Sequence, residues 1–411
     1  MASLDFIPQY KPEEIYSLAG KSIKFDTKAD IEPYLTNLNS LTGIKKLDFS
    51  GNTIGIEASL ELSKSITLHA KTLEEVNFAD FFTGRLKDEI PQCLEYLLPS
   101  ISQCPQLHIV NLSDNAFGLT TIEQLEKFLS EAIYLNHLIL SNNGMGPFAG
   151  ERIGKSLYKL SLSKSTQGQS SLKTFICGRN RLENGSINYL SIGLKNHKDL
   201  QVVKLYQNGI RPSGIKKLIS QGLKFNTQLT ILDLQDNTIT KKSGSVLADN
   251  LPQWPELKEL NVNDCLLNPK GSLDLIKSLE KTKFNKLESL KLQYNELDND
   301  SLKILSSIIS ENLPVLTKLE LNGNRFEEDS ELIEKIQSIF EERGFGELDE
   351  LDDLEELDSE DEDEDESDEE DDEEEEEEID LNELELKLKE STTKEDKKVE
   401  DIASELEKTH I

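Results

Sequence analysis

Several chemistries have little to work with in these 411 residues. No G-x-x-x-x-G-K-[ST] occurs, so no P-loop is expected to cradle a nucleotide phosphate. HExxH, CxxC pairs and G-x-S-x-G are also missing, which argues against zinc hydrolysis and a serine nucleophile elbow. The five histidines, His69, His108, His137, His197 and His410, are scattered, and each reads as a structural or surface residue. Four cysteines (Cys93, Cys104, Cys177 and Cys265) show no ligand or redox spacing. They read as reduced thiols of a cytosolic or nuclear protein. No apolar run is long enough to span a bilayer, and MASLDFIPQYKPEE has neither the basic nor the apolar region of a secretory signal. Basic charge is scarce: 45 Lys and Arg face 79 Asp and Glu, a net charge of -34. Nucleic acid and membrane are therefore not expected partners.

The acidity is concentrated. Glu347 to Asp380 holds 27 Asp and Glu and no Lys or Arg, which leaves 34 less 27, or seven, net negative charges for the rest. Such a run repels itself and buries little, so it is expected to be disordered.

What the chain has in abundance is one pattern. In LNHLILSNNGMGPFAGERIG, residues 135 to 154, Leu135, Leu138, Leu140 and Asn143 occupy L-x-x-L-x-L-x-x-N, the leucine-rich repeat signature. Counterparts centre on Asn52, Phe81, Asn115, Asn180, Asn208, Asn237, Cys265, Asn295 and Asn324. The ten positions are separated by 29, 34, 28, 37, 28, 29, 28, 30 and 29 residues. Ile23 and Phe25 read as part of a degenerate first repeat. Each repeat has room for a strand, a turn and a helix, as the stripes Ile215, Leu218, Ile219, Gly222, Leu223 and Ile122, Leu125, Leu129, Ala132, Ile133 suggest. The expected fold is α/β: a ribonuclease-inhibitor-like leucine-rich repeat solenoid of about ten or eleven repeats, with a concave parallel sheet and convex helices.

The residue between the second and third apolar strand positions is expected on the concave face: Asp48, Asn77, Asn111, Ile139, Ile176, Lys204, Asp233, Asn261, Lys291 and Glu320. That face reads as mixed, mostly polar and solvated. Two long steps mark insertions. ADFFTGRLKDEIPQ puts Arg85 and Lys87 on the loop ridge, and SLSKSTQGQSS reads as a flexible polar loop. The organisation expected is residues 1–345 as the repeat domain, 346–380 as a disordered acidic segment and 381–411 as a tail. Ser359 and Ser367 are either phosphorylation sites or inert spacers. Leu381, Leu384, Leu386 and Leu388 are either an export signal or a weakly amphipathic segment.

LSNNGMGPFAGERIG, ICGRNRLENGS, KLYQNGIRP, LDLQDNT, VNDCLL, LQYNE and LNGNRF resemble the Ran GTPase-activating proteins of fungi. The order of segments, the insertion FADFFTGRLKDE and the acidic tail agree, over essentially the whole chain. The resemblance implies an activator of GTP hydrolysis by the small GTPase Ran, with no active site of its own. An asparagine at Asn142 would position the catalytic glutamine of Ran, without an inserted arginine. Arg85 and Lys87 would contact Ran, and Arg179 and Arg181 match family positions at the interface. GTP and Mg would be bound by the partner, so no cofactor is expected here. GTP-bound Ran, alone or with a Ran-binding protein, would be the partner of a monomer. Residence would be cytoplasmic, with perinuclear placement or shuttling left open, in support of nucleocytoplasmic transport.

Each residue also has a plain reading. Asn142 could cap its turn, as Asp114, Asp236 and Asp264 could in theirs. Arg85 and Lys87 could be solvated, and Arg179 and Arg181 could pair with neighbouring carboxylates. The competing function is a non-catalytic repeat protein, either an inhibitor or a histone-binding acidic protein. Few cysteines disfavour an inhibitor of the ribonuclease-inhibitor kind, and the histone reading rests on the tail alone.

Overall fold

A strand of three residues buries almost nothing by itself, so these repeats are stable only as a stack. The computed structural model describes residues 8–327, 330–354 and 379–392. The described residues up to 354 belong to one compact unit, and 379–392 to a second. Ser359 and Ser367 lie outside the described residues.

The first unit carries one twelve-stranded sheet, parallel throughout and in chain order. Its strands are Ile15–Ser17, Lys46–Asp48, Glu75–Asn77, Ile109–Asn111, His137–Ile139, Thr174–Ile176, Val202–Lys204, Ile231–Asp233, Glu259–Asn261, Ser289–Lys291, Lys318–Glu320 and Glu347–Leu348. Register never slips: Leu138 aligns with Phe175, Phe175 with Val203, and Val203 with Leu232. These middle residues point into the core and are fully buried. Burial of one such side chain stabilises by about 1.5–3 kcal/mol. The first repeat begins with Ile15–Ser17, and Lys24–Phe25 pairs with Thr53–Ile54 in a small second sheet.

The asparagine after each strand carries a ladder. Asn143 Nδ2 donates to Leu112 O and Leu140 O at 3.0 and 2.9 Å, while its Oδ1 accepts the Asn115 N–H at 2.9 Å. Asn115, Asn180, Asn208 and Asn295 repeat the arrangement. Where Cys265 replaces asparagine, its thiol donates to Leu234 O at 3.3 Å. Phe81 instead puts its ring into an aromatic spine with Phe49 and Phe78. Its N–H still reaches Asn115 Oδ1 at 2.7 Å.

Helices fill the other side. The apolar stripe at Ile122 forms helix Ile122–Glu131, with Ala132 and Ile133 just past its end. The stripe at Ile215 runs through helix Pro212–Lys217 into a π turn, Leu218–Gly222.

Three expectations need correction. The segment SLSKSTQGQSS does not form a loop from its start: helix Gly146–Thr166 absorbs its first six residues. Lys164 is buried there, its Nζ donating to Ile133 O at 2.7 Å and Ser170 O at 3.0 Å. Burial pulls its pKa down to about 8.

Residue 346 does not begin a structureless segment either. Glu347–Leu348 adds the twelfth strand, and Leu351 is buried. Asp349 accepts the N–H groups of Leu321 and Asn322 at 2.7 and 3.1 Å, and Asp352 and Asp353 bond Asn322 and Tyr294. These acids cap the open edge of the last full repeat, whose N–H groups would otherwise lack acceptors.

Nor is the open sheet face, mixed and mostly polar as expected, simply solvated. The first and third residues of every strand share it, so Val202 and Ile231 join Ile139, Ile176 and Tyr206 in a small apolar patch. Much of the rest is a lattice of ion pairs: Lys46 reaches Glu75 at 2.7 Å, and Lys204 sits 3.8 and 3.6 Å from Asp233 and Glu259.

In the second unit, residues 381–392 form a helix that presents Leu381, Leu384 and Leu388 at i, i+3 and i+7.

Candidate functional site: the loop ridge

The turn after each strand has a fixed shape. The residue immediately before the ladder position takes a left-handed conformation in every one of the ten repeats, from Gly51, Asp80, Asp114 and Asn142 through Arg179, Gln207, Asp236 and Asp264 to Tyr294 and Gly323. Its N–H donates to the next repeat: Asp114 to Ser141 O, Asn142 to Gly178 O, Arg179 to Tyr206 O, and Gln207 to Gln235 O, at 2.8–2.9 Å. The backbone bends outward while the next residue dives into the ladder, so this row of side chains stands on the ridge above the sheet.

Asn142 is therefore exposed while its neighbour Asn143 is fully buried. It takes φ 54°, which asparagine tolerates better than most residues. Its Nδ2 donates to Asp114 Oδ1 at 2.8 Å. Below it, the Tyr206 hydroxyl lies 3.2 Å from Ser141 Oγ. The Tyr206 ring covers Gly178 so closely that a Cβ there would stand 2.4 Å from it, which accounts for glycine at the second position of CGRNR.

Arg179 and Arg181 flank the buried Asn180, both exposed and both left-handed, at φ 57° and 54°. Neither makes a side-chain hydrogen bond or ion pair among the described residues, so the alternative of neighbouring carboxylate partners is not what the structure holds. With Asn142, Gln207, Asp236, Asp264 and Leu266 they line an open hollow of about 530 Å³. Its Arg179 end is basic and its Asp264 end acidic. Burial, then Asp236, raises the Asp264 pKa.

Arg85 is not the solvated loop residue of the plain reading: the side chain is 11% exposed, with the guanidinium 2.6 Å from Asp26 Oδ1. Its Nε donates to Thr53 Oγ1 at 2.9 Å, so Arg85 ties the inserted loop to the first two repeats. Lys87 and Leu86 beside it are exposed. The structure thus groups Asn142, Arg179 and Arg181 on one stretch of ridge, with Arg85 and Lys87 on an earlier repeat. Sequence reasoning named Asp114 only as a turn residue and missed Asp26, Thr53 and Tyr206 altogether. Only the repeat register, which sets Asp114 one repeat before Asn142, carried a signal for any of them.

His137, His197 and the four cysteines are structural. His197 is fully buried, its Nε2 donating to Leu157 O and its Nδ1 accepting from Leu172 N–H, and burial drives its pKa down to about 3. His137 is held near 4 by burial and bonds Thr174 Oγ1 at 2.9 Å. All four cysteines are free and buried, and burial raises every thiol pKa, to about 12 for Cys104, Cys177 and Cys265. No cluster of potential metal ligands occurs among the described residues.

A Leucine Rich repeat family model matches residues 225–248. An internalin from Listeria monocytogenes superposes with a TM-score of 0.44 at 17% identity, covering 82% of this chain and 86% of its own. So loose a likeness adds nothing to what the repeats show. Sequence relatives say more. The Ran GTPase-activating protein of Drosophila melanogaster is 30% identical over 79% of this chain and 55% of its own length. Ran GTPase-activating protein 1 of Saccharomyces cerevisiae is 53% identical over 83% of this chain and 86% of its own. Identity at that level across both chains reaches far beyond the one repeat that the family model covers, and the chain belongs to the Ran GTPase-activating proteins.

Proposed function

We propose that this chain stimulates GTP hydrolysis on GTP-bound Ran by supplying a side chain, Asn142, that holds the catalytic glutamine of Ran. A small GTPase already carries the nucleotide, the metal and the water-orienting glutamine. Its hydrolysis is slow while that glutamine wanders, so an activator can act by fixing one rotamer. The observation that carries this reading is the placement of Asn142: an exposed amide on a rigid ridge, beside two arginines whose side chains have no partner among the described residues.

On this reading the chain is an activator, not itself an enzyme. It brings no cofactor, and GTP and Mg stay with Ran. Arg179 and Arg181 meet the acidic or phosphate-bearing side of the partner, and Lys87 adds charge from the inserted loop. Arg85 acts mainly by holding that loop in place. The chain works as a monomer in the cytoplasm, where hydrolysis keeps Ran in its GDP form and gives nuclear transport its direction. A Ran-binding protein can occupy another face of Ran at the same time.

The test is single-turnover GTP hydrolysis by Ran with this chain at substoichiometric amounts. Wild type should convert all of the GTP. Folded Asn142→Ala and Arg179→Ala should not match it, the first losing rate at saturating Ran and the second losing affinity. Absence of stimulation by the wild type would end this reading.

A further inference from the structure

An asparagine can present either end of its amide, and the two ends do opposite things. The glutamine of the partner must accept a hydrogen bond from the attacking water through its carbonyl, so its NH2 group needs an acceptor elsewhere. Asn142 helps only if Oδ1, and not Nδ2, faces outward. On an exposed ridge nothing in the repeat pattern settles which end that is.

Asp114 settles it. It occupies the ridge position of the preceding repeat, and Asn142 Nδ2 lies 2.8 Å from its Oδ1. An ionised carboxylate has lone pairs and no proton, so the group facing it has to be the donor end. Asn142 Oδ1 has no partner among the described residues and is left as the outward acceptor. Both residues hold left-handed backbone, at φ 61° and 54°. Their N–H groups are each bonded to the next repeat, so the distance between them is set by the stack.

We infer that Asp114 is a positioning residue: it orients the Asn142 amide so that Oδ1 accepts from the glutamine NH2 of the GTPase and leaves the glutamine carbonyl for water. The inference rests on the activator reading above. Asp114 touches neither nucleotide nor glutamine in this scheme, and its effect passes wholly through Asn142.

The test is stimulated GTP hydrolysis, measured as kcat and KM for GTP-loaded Ran, with Asp114→Gly, Asp114→Asn, and each combined with Asn142→Gly. Glycine and asparagine both tolerate φ near 60°, so all variants should fold, which circular dichroism and thermal melting would verify. Asp114→Gly removes the acceptor; kcat should fall about tenfold, as expected for losing one charge-assisted hydrogen bond, with KM within about twofold of wild type. Asp114→Asn still offers a carbonyl and should recover most of that loss. In the Asn142→Gly background neither substitution should change kcat further. An unchanged kcat in Asp114→Gly would overturn the inference. So would a raised KM at constant kcat, which would make Asp114 a direct contact, or an undiminished effect without Asn142. Wild type that fails to stimulate would instead strike the activator reading itself.

Discussion

Asn142 and Asn143 are chemically identical neighbours, and substituting each should produce opposite phenotypes. Asn143 is fully buried, and its amide engages Asn115 N–H, Leu112 O, Leu140 O and Ser141 O. Replacing it by alanine does not orphan all four. Leu112 O keeps a bond from Asn115 Nδ2, Leu140 O keeps one from Asn180 Nδ2, and Ser141 O keeps Asp114 N–H. Asn115 N–H alone loses its acceptor, in a buried site. One buried unsatisfied donor costs about 1–3 kcal/mol, and the vacated amide volume adds to it, so the expected loss is about 3 kcal/mol. Asn142→Gly should be nearly silent in stability. Glycine accepts φ 54° without strain, and the one lost bond, to Asp114, is exposed, so the change should stay within about 1 kcal/mol. Its cost should fall on stimulation, at least about a hundredfold in single-turnover hydrolysis by Ran, because a mispositioned group near the reacting atoms forfeits that much. Urea unfolding and GTP hydrolysis on the same preparations check both halves. Equal destabilisation by the two substitutions would refute the division of labour, and full activity in folded Asn142→Gly would refute the role of the amide.

Gly154→Ala should destabilise by about 2 kcal/mol or more in urea unfolding, since its Cβ would lie 2.4 Å from Leu190 N in the neighbouring helix. Truncation after Leu354 should leave the melting temperature unchanged, whereas truncation after Gly346 removes the last strand and the Asp349 cap and should lower it by several degrees. Arg85→Ala should lose stability as well as stimulation, by about 1 kcal/mol, because the side chain ties Asp26 to Thr53; a purely kinetic defect would contradict that placement. His197 is neutral when folded, with a pKa near 3 against about 6.5 when unfolded, so its contribution is complete above pH 6.5 and declines as pH falls toward 3. Wild type should lose about 2 kcal/mol more than His197→Gln between pH 7 and pH 5, read from urea midpoints.

Much of the fold was legible because it is periodic. Leu138, Leu140 and Asn143 repeat with a spacing that only a stacked strand, turn and helix satisfies, and the register between strands followed. The misreadings have physical causes. SLSKST looked like a loop because serine, threonine and lysine dominate it, yet Lys164 finds two carbonyls in the core and the helix continues. The last strand was hidden because composition swamped pattern: Leu348, Leu351 and Leu354 stand inside a run of acids, and the carboxylates of Asp349, Asp352 and Asp353 serve as hydrogen-bond acceptors. The open face was taken as solvated because only the third residue of each strand was assigned to it, when a strand of period two also offers the first.

The site was less legible, and the ridge explains why. The turn dictates left-handed backbone at one position per repeat, and glycine, asparagine or aspartate meets that demand at least cost. Gly51, Asp80, Asp114, Asp236, Asp264 and Gly323 therefore need no explanation beyond the turn, and by identity alone neither does Asn142. Arg179, Gln207 and Tyr294 do, since each carries a strain of about 1–2 kcal/mol that glycine would avoid. Tyr294 recovers part of it through Asp353, and Gln207 through Asp236 at 2.8 Å. Arg179 has no such side-chain partner among the described residues. On the proposed reading that partner is the GTPase, which would face the stretch of ridge at Arg179, beside the one asparagine in the row.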